Sequence, residues 1–474
     1  MENELNALTK RILEKITPKK EEYDKIDALS RELEQKITLA CHQEAVEAIV
    51  RVEGSIAKDT WLSENPDIDI FMRLPTSIPK KKLGDIGLKI AKKAAGDAEQ
   101  LERFAEHPYL EIFLGGYRVD IVPCYDAKAG EWQSATDRTP YHTDYIRDHL
   151  DKGVLGEVRL LKRFMQGIAV YGAEIKVGGF SGYLCELLIM KYGSFVHTIR
   201  AFAGFNRRVV IDIEGFYANR ANELQMLFPE SLVIIDPVDK GRNVASAVQP
   251  QKLDEFICAA RAFLKKPAES FFFPPEPNIC SVAALKSQLE SHGSAIVFLV
   301  IGELNAVPDV LWGQLYRSKR SLRTLLELSD YKVLKDAVWS NEKTVSVFMF
   351  EIEQQVLPNL KKHLGPPLER EAECERYLTK YANNERVISG PYIEDGRWIV
   401  ELPRKTTDAV ALFREKLADG GKNAGVADLV SKTIQKNFKI LVNDEVFRVY
   451  EGNVDFAAFL TDFLSGKPFW LTTQ

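Results

Sequence analysis

The stretch Gly54 to Pro75, GSIAKDTWLSENPDIDIFMRLP, carries two carboxylates, Asp67 and Asp69, two residues apart inside an otherwise apolar run. Successive residues of a strand face opposite sides, so these carboxylates project together while Ile68 and Ile70 turn the other way. A third carboxylate, Asp120, stands in a similar run, YRVDIVPCY. Two carboxylates on one strand and one on its neighbour can hold a pair of divalent cations about 3.5–4 Å apart, the arrangement that serves in-line phosphoryl or nucleotidyl transfer. Such a site needs a partner for the triphosphate. Gly54-Ser55 supplies one: Gly permits close backbone approach, and a Ser hydroxyl beside the N–H groups of a helix start suits phosphate oxygens.

The surrounding pattern predicts a small mixed sheet with helices packed on it. Tyr23 to Ala45 has helical periodicity through Ile26, Leu29, Leu33, Ile37 and Ala40, and AIVRVEG reads as a strand. DIDIFMRL is the second strand, KKKLGDIGLKIAKKAAG a helix with a basic face, and YLEIFLGGYRVDIVPCY two strands joined by a Gly115-Gly116 hairpin turn. From TPYHTDYIRDHL onward the chain turns mainly helical, with GEVRLLKRFMQGIAVYG and SGYLCELLIMKYGSF as amphipathic helices and VVIDI and LVIIDP as short strands. The Pro-dense run PAESFFFPPEPN places a linker near Phe271 to Asn278. Beyond it, strands AIVFLVIG, YKVLKDAVWS and TVSVFMFEI flank the helix LWGQLYRSKRSLRTLLELS. The charged helix LEREAECERYLTKYA and the strand RWIVELP follow, and helical segments around DAVALFREKLAD and VADLVSKTIQKNF close the chain.

At about 150 residues per domain, a chain of 474 residues makes about three domains. The expected fold class is α+β and multi-domain: a mixed sheet with helices over 1–145 that would carry the catalytic carboxylates, a mainly helical domain over 146–270, and α+β domains over 271–474. With 45% hydrophobic and 28% charged residues there is apolar surface for several cores, which argues against wholesale disorder. The longest apolar run, SAIVFLVIG, is too short to cross a bilayer, and the N-terminus is charged and helical, so the expectation is a cytoplasmic protein with no membrane partner. Six cysteines without a Cys-x-x-Cys pair read as buried or incidental thiols. A net charge of −5 leaves RNA binding to local clusters: Lys80 to Lys82, Arg207-Arg208, Lys240 with Arg242, and Arg317 to Arg323.

Gly-Ser ending one strand, Asp-x-Asp on the next and a single Asp on a later strand follow the order of the DNA-polymerase-beta-like nucleotidyltransferases. The blocks GSIAKDTWLSENPDIDIF, RVDIVPCY, RTPYHTDYI, VRLLKRFM, YGAEIKVGGFSGYLCELLIMKYGSF and IDPVDKGRNVA together resemble the archaeal, class I, CCA-adding enzymes, the tRNA nucleotidyltransferases. They cover most of the first 250 residues; the C-terminal half is similar in length and general character.

The resemblance implies Mg²⁺ binding by Asp67, Asp69 and Asp120, with triphosphate contacts from Ser55 and Lys58. It also implies that His142, Lys162 and Tyr171 hold the incoming nucleotide and that Arg242, with Asp236, reads the base. Family members often have Glu at position 67 and Arg at position 58, and a Lys there neutralises a phosphate without forking onto two oxygens. The residues' own pattern agrees: Gly167 and the VYG end predict that the helix carrying Lys162 stops before Tyr171, His142 follows Pro140 near a helix start, and Arg242 falls on a loop after a strand ending in Asp236.

The implied reaction is attack by the tRNA 3′-hydroxyl on the α-phosphate of CTP or ATP, with release of pyrophosphate and no template. The implied partners are the tRNA acceptor stem and 3′ end, CTP and ATP, and a homodimer as an option. Two rivals share the pattern: a poly(A) polymerase-like transferase that takes ATP alone, and a catalytically inactive RNA-binding relative, against which the intact carboxylate triad argues.

Overall fold

The computed structural model describes residues 2–63, 66–104, 106–276 and 279–472. They divide into two units, Met1–Glu276 with Pro468–Gln474, and Pro277–Lys467.

In the first unit, helices α1 (Glu2–Ile16) and α2 (Lys20–Gln43) lead into β1 (Ile49–Glu53), the one-turn α3 (Gly54–Ala57), β2 (Ile68–Leu74), α4 (Lys80–Ala95), β3 (Glu99–Phe104), β4 (Pro108–Leu114) and β5 (Tyr117–Tyr125). The five strands form one sheet in the order β1-β2-β5-β4-β3. Only β2 and β5 run parallel, with Asp69 opposite Asp120; the other pairs are antiparallel. One face is apolar because Ile68, Ile70, Met72, Leu110, Ile112, Val119 and Ile121 alternate inward, against Ile26, Leu33 and Ile37 of α2 and Leu83, Ile90 and Ala91 of α4. The predicted strands, helix and hairpin are present, and Gly115 and Gly116 both take positive φ in the turn. Two details differ. β2 begins at Ile68, so Asp67 enters the strand instead of lying in it, yet its ion pair with Arg118, two residues upstream of Asp120, keeps it on the carboxylate face. EQLERF also forms a strand, β3, an almost fully exposed sheet edge with no apolar alternation to announce it.

The chain continues through α5 (Thr139–His149), α6 (Leu155–Gly167), α7 (Gly182–Tyr192), α8 (Phe195–Ala203), β6 (Val209–Ile211), α9 (Ala221–Leu227), β7 (Leu232–Asp236), β8 (Asp239–Asn243) and α10 (Pro250–Lys265). Their core is aromatic: Phe164 of α6 lies 5.2–6.3 Å, ring to ring, from Phe195, Phe256, Phe263, Phe271 and Phe272. Phe271 and Phe272, placed in a linker by the Pro density, are therefore core residues, and the division between units falls after Glu276. As predicted, α6 stops before Tyr171, which bridges to Phe180 instead. Arg242 is not on a loop: DKGRN is β8, paired antiparallel with β7 in a three-stranded sheet.

The second unit contains α11 (Val282–His292), β9 (Ala295–Ile301), α12 (Pro308–Leu328), β10 (Val333–Ser340), β11 (Ser346–Ile352), β12 (Leu360–Pro367), α13 (Glu371–Tyr381), β13 (Ser389–Glu394), β14 (Arg397–Pro403), α14 (Ala409–Lys416), α15 (Asp428–Lys436), β15 (Phe438–Val442), α16 (Phe447–Glu451) and α17 (Val454–Ser465). β9 is apolar throughout because both faces are covered. Val297, Leu299 and Ile301 join one core with Leu315 and Leu322 of α12, and Ile296 and Phe298 join another with Leu285 of α11 and Leu460 of α17. The chain does not close on α15. β15 follows it as the edge of the sheet β10-β11-β9-β15, and α17 covers one face; β12-β14-β13 form a separate sheet.

Candidate active site

The register of the first sheet places four carboxylates in a row across four strands: Glu53 opposite Asp69, Asp69 opposite Asp120, and Asp120 opposite Glu111. The outer two have their own cations. Glu53 accepts from Arg51 Nε at 2.6 Å, and Glu111 accepts from Arg103 at 2.8 Å. The inner two, Asp69 and Asp120, have no ion pair among the described residues, and Oδ1 of Asp120 is buried without a hydrogen-bond partner. Burial, with the Asp67 charge after it, pushes Asp69 up to about 6. Burial, with Asp69 working against Arg118, pushes Asp120 up to about 7. Carboxylates sunk side by side without an ion pair are costly to ionise, and a divalent ion is the partner this chemistry fits. Asp67 stands at the entrance, paired with Arg118. Among the described residues no three such side chains already converge on one point.

Gly54 makes the row possible. Its φ of +67° is left-handed, and a methyl there would lie 2.0 Å from Oδ2 of Asp69. The same residue opens α3, which carries Ser55 into a cleft of about 490 Å³ lined also by Thr60, Trp61, Asp67, Lys162 and Tyr171.

Behind this cleft lies a buried ionic cluster. Glu186 of α7, fully buried, accepts from Lys58 Nζ at 2.6 Å, from Lys162 Nζ at 3.1 Å and from the Thr60 hydroxyl at 2.5 Å. Lys162 also donates to Thr60, at 2.8 Å to the hydroxyl and 3.1 Å to the carbonyl oxygen. Burial pulls the Lys162 ammonium down, against Glu186. For Glu186 burial acts upward but is outweighed by Lys58 and Lys162, which hold the carboxyl below its usual range. The Tyr171 hydroxyl and Lys162 both border Gly182, where a methyl would meet them at 3.0 and 3.4 Å. Lys162 is thus no solvated helix lysine. Sequence reasoning missed Glu186 and Thr60, although a single acid inside the apolar helix run LCELLIM is a signal, since such a group is buried only with a partner.

The remaining predicted residues meet around Asp236, a buried carboxylate at the end of β7. His142 Nε2 lies 2.8 Å from its Oδ2, Arg242 donates to the same oxygen at 2.7 Å, and the Tyr183 hydroxyl donates to Oδ1 at 3.2 Å. Burial lowers the His142 imidazole, against the pull of Asp236. For Asp236 burial acts upward, but His142 and Arg242 outweigh it and keep the carboxyl ionised. The imidazole therefore donates through Nε2 to the carboxylate, and Arg242 is the counter-ion. Tyr183, also missed, joins the two clusters: its ring stacks on His142 with centroids 4.1 Å apart, and Lys58 Nζ lies 5.6 Å from its centre.

Known proteins match along this architecture. The family described as "Nucleotidyltransferase domain" matches residues 33–142, "tRNA nucleotidyltransferase, second domain" matches 156–273, and "CCA-adding enzyme, C-terminal domain" matches 292–443. The chain is 38% identical to the CCA-adding enzyme of Methanosarcina barkeri over 452 residues, 95% of this chain and 96% of that one. The CCA-adding enzymes of Halobacterium salinarum and Methanothermobacter thermautotrophicus are 35% and 34% identical, over 93% and 96% of this chain and 94% and 97% of their own. The chain belongs to the CCA-adding enzyme family.

For a CCA-adding family member with net charge −5, cations not already neutralised matter most. Several predicted phosphate grips are consumed internally: Lys80 pairs with Glu106, Arg208 donates to the carbonyl oxygen of Phe228, and Lys319 and Arg323 both pair with Asp336. No helix of the described residues is long and apolar enough to cross a membrane.

Proposed function

We propose that this protein adds cytidine, cytidine and adenosine to the 3′ end of tRNA without a template, from CTP and ATP, with release of pyrophosphate. The observation that carries the reading is the inner pair of the carboxylate row, Asp69 and Asp120, which among the described residues make no ion pair between neighbours that each have an arginine. Asp67, Asp69 and Asp120 would hold Mg²⁺, which when bound would supply the charge that lowers the pKa of the attacking hydroxyl and neutralises the triphosphate. Ser55 and Lys58 hold the triphosphate; Lys162 and Tyr171 form the wall of its cleft. Arg242, with one N–H committed to Asp236 and its side chain one-third exposed, offers its remaining donors to acceptor atoms that cytosine and adenine share. His142 and Tyr183 keep Asp236, and through it Arg242, in place. In this reading residues 1–145 carry catalysis, 146–270 recognise the nucleotide, and 271–474 bind tRNA.

The test is incubation with a tRNA lacking its terminal CCA, Mg²⁺, and CTP and ATP separately and together. Two cytidines with CTP alone and termination after one adenosine with both are expected, while an unending ATP tail or no incorporation overturns the reading. Asp120→Asn should lower the rate by about a thousandfold or more while tRNA affinity stays within a few-fold, because phosphate contacts and not the carboxylates hold the RNA.

A further inference from the structure

The cluster behind the cleft has more structure than a triphosphate site needs from its cations alone. An ammonium has three hydrogens, and Lys162 spends all three on the Thr60 hydroxyl, the Thr60 carbonyl and Glu186. Lys58 spends one, on Glu186, and two remain. The Glu186 carboxylate uses both oxygens: Oε1 takes Thr60 and Lys162, and Oε2 takes Lys58. Two buried lysines thus share one carboxylate beside the cleft.

We propose that Glu186 is the positioning residue of the triphosphate site. It clamps Lys58, aiming that side chain's two free N–H groups at the nucleotide's phosphates, while Lys162 is the strut that fixes Glu186 against the turn carrying Thr60. This deepens the nucleotidyl-transfer reading and rests on it. Glu186 joins three separate stretches of chain: the turn after α3, helix α6 and helix α7. One helical turn before it on α7 stands Tyr183, whose ring faces Lys58 and whose hydroxyl reaches Asp236, so the same helix seats the phosphate-side and base-side groups. A long lysine with an isolated charge would otherwise sample many rotamers; tethered at one hydrogen it presents the others in a fixed direction.

The experiment is a double-mutant cycle of Glu186→Gln and Lys58→Ala, read as KM for CTP, kcat and Kd for a tRNA lacking CCA. Each single variant should raise the KM for CTP about tenfold or more, with kcat and tRNA Kd within about threefold. The double variant should be no worse than the worse single, because Glu186 acts through Lys58. Effects that multiply, or a KM for CTP that stays at the wild-type value while only thermal stability falls, overturn the proposal. Thr60→Val removes one bond to Oε1 and leaves every charge, so it serves if Glu186→Gln does not fold. It should raise the KM for CTP about threefold, and no change counts against Glu186. Calorimetric binding of CTP without tRNA separates the two levels: a wild type that binds CTP but transfers nothing refutes the proposed reaction, and the same cycle read as CTP Kd still decides on Glu186.

Discussion

Replacing Gly54 by alanine should disable transfer by displacing Asp69, with no functional side chain removed. The added methyl lies 2.0 Å from Oδ2 of Asp69, and ordinary contact begins near 3.4 Å, so the carboxylate must retreat by 3.4 − 2.0, about 1.4 Å, or the backbone must turn. Turning is opposed, because the φ of +67° is part of the turn that ends β1 and starts α3, and alanine in that left-handed region costs about 1–2 kcal/mol by itself. A displacement of about 1 Å at a reacting centre lowers rates by about a hundredfold, which is about 2.7 kcal/mol of barrier. The expected result for Gly54→Ala is therefore a kcat for single-turnover cytidine addition about a hundredfold or more below wild type, with tRNA Kd within a few-fold and a cooperative melt retained. Rapid-quench assays at saturating CTP and Mg²⁺ measure it. A folded variant whose single-turnover rate stays within fivefold of wild type would show that the position of Asp69 does not limit the chemistry.

In the folded chain Asp69 and Asp120 sit near 6 and 7, above the ordinary 3.8, so they stay protonated in the fold where the unfolded chain has already ionised. The chelator-treated protein should accordingly lose stability as pH rises from about 4 through about 7, and Mg²⁺ should raise the melting temperature more at about pH 8 than at about pH 5.5; equal shifts at both would count against the metal assignment. Arg242→Ala should cut the preference for CTP over UTP, as the ratio of kcat/KM values, by about tenfold to a hundredfold, the worth of a charged hydrogen bond; unchanged nucleotide choice would remove Arg242 from base reading. Phe164→Ala empties the centre of the aromatic core and should cost about 3–5 kcal/mol in denaturant unfolding followed by near-ultraviolet circular dichroism, and a loss under about 1 kcal/mol would mean the five rings close over the gap.

The central strands of the first sheet were legible because one face is apolar and the residues alternate. The edge strand EQLERF and the strand DKGRN were not, because exposed strands need no alternation, and so Arg242 was expected on a loop. The end of α6 before Tyr171 was legible from Gly167 and the glycines beyond, whereas the burial of Phe271 and Phe272 was hidden by the prolines that follow them. Asp67, Asp69 and Asp120 could be picked out as a set; Glu53 and Glu111, in the same row, could not, since nothing local says which residues stand opposite.

The sequence by itself determined the inventory: the central strands, the shared face of Asp67 and Asp69, and the chemistry those residue types in that order can perform. The tertiary structure decided the pairing of charges. Lys58 finds Glu186 across 128 positions and His142 finds Asp236 across 94, while Glu111 finds Arg103 on the neighbouring strand and, among the described residues, Asp69 and Asp120 find no ion-pair partner. Periodicity is set by neighbours a few residues away and can be read along the chain. The partner of a buried charge is set by where separate elements pack, and a charge without one shows only once they have.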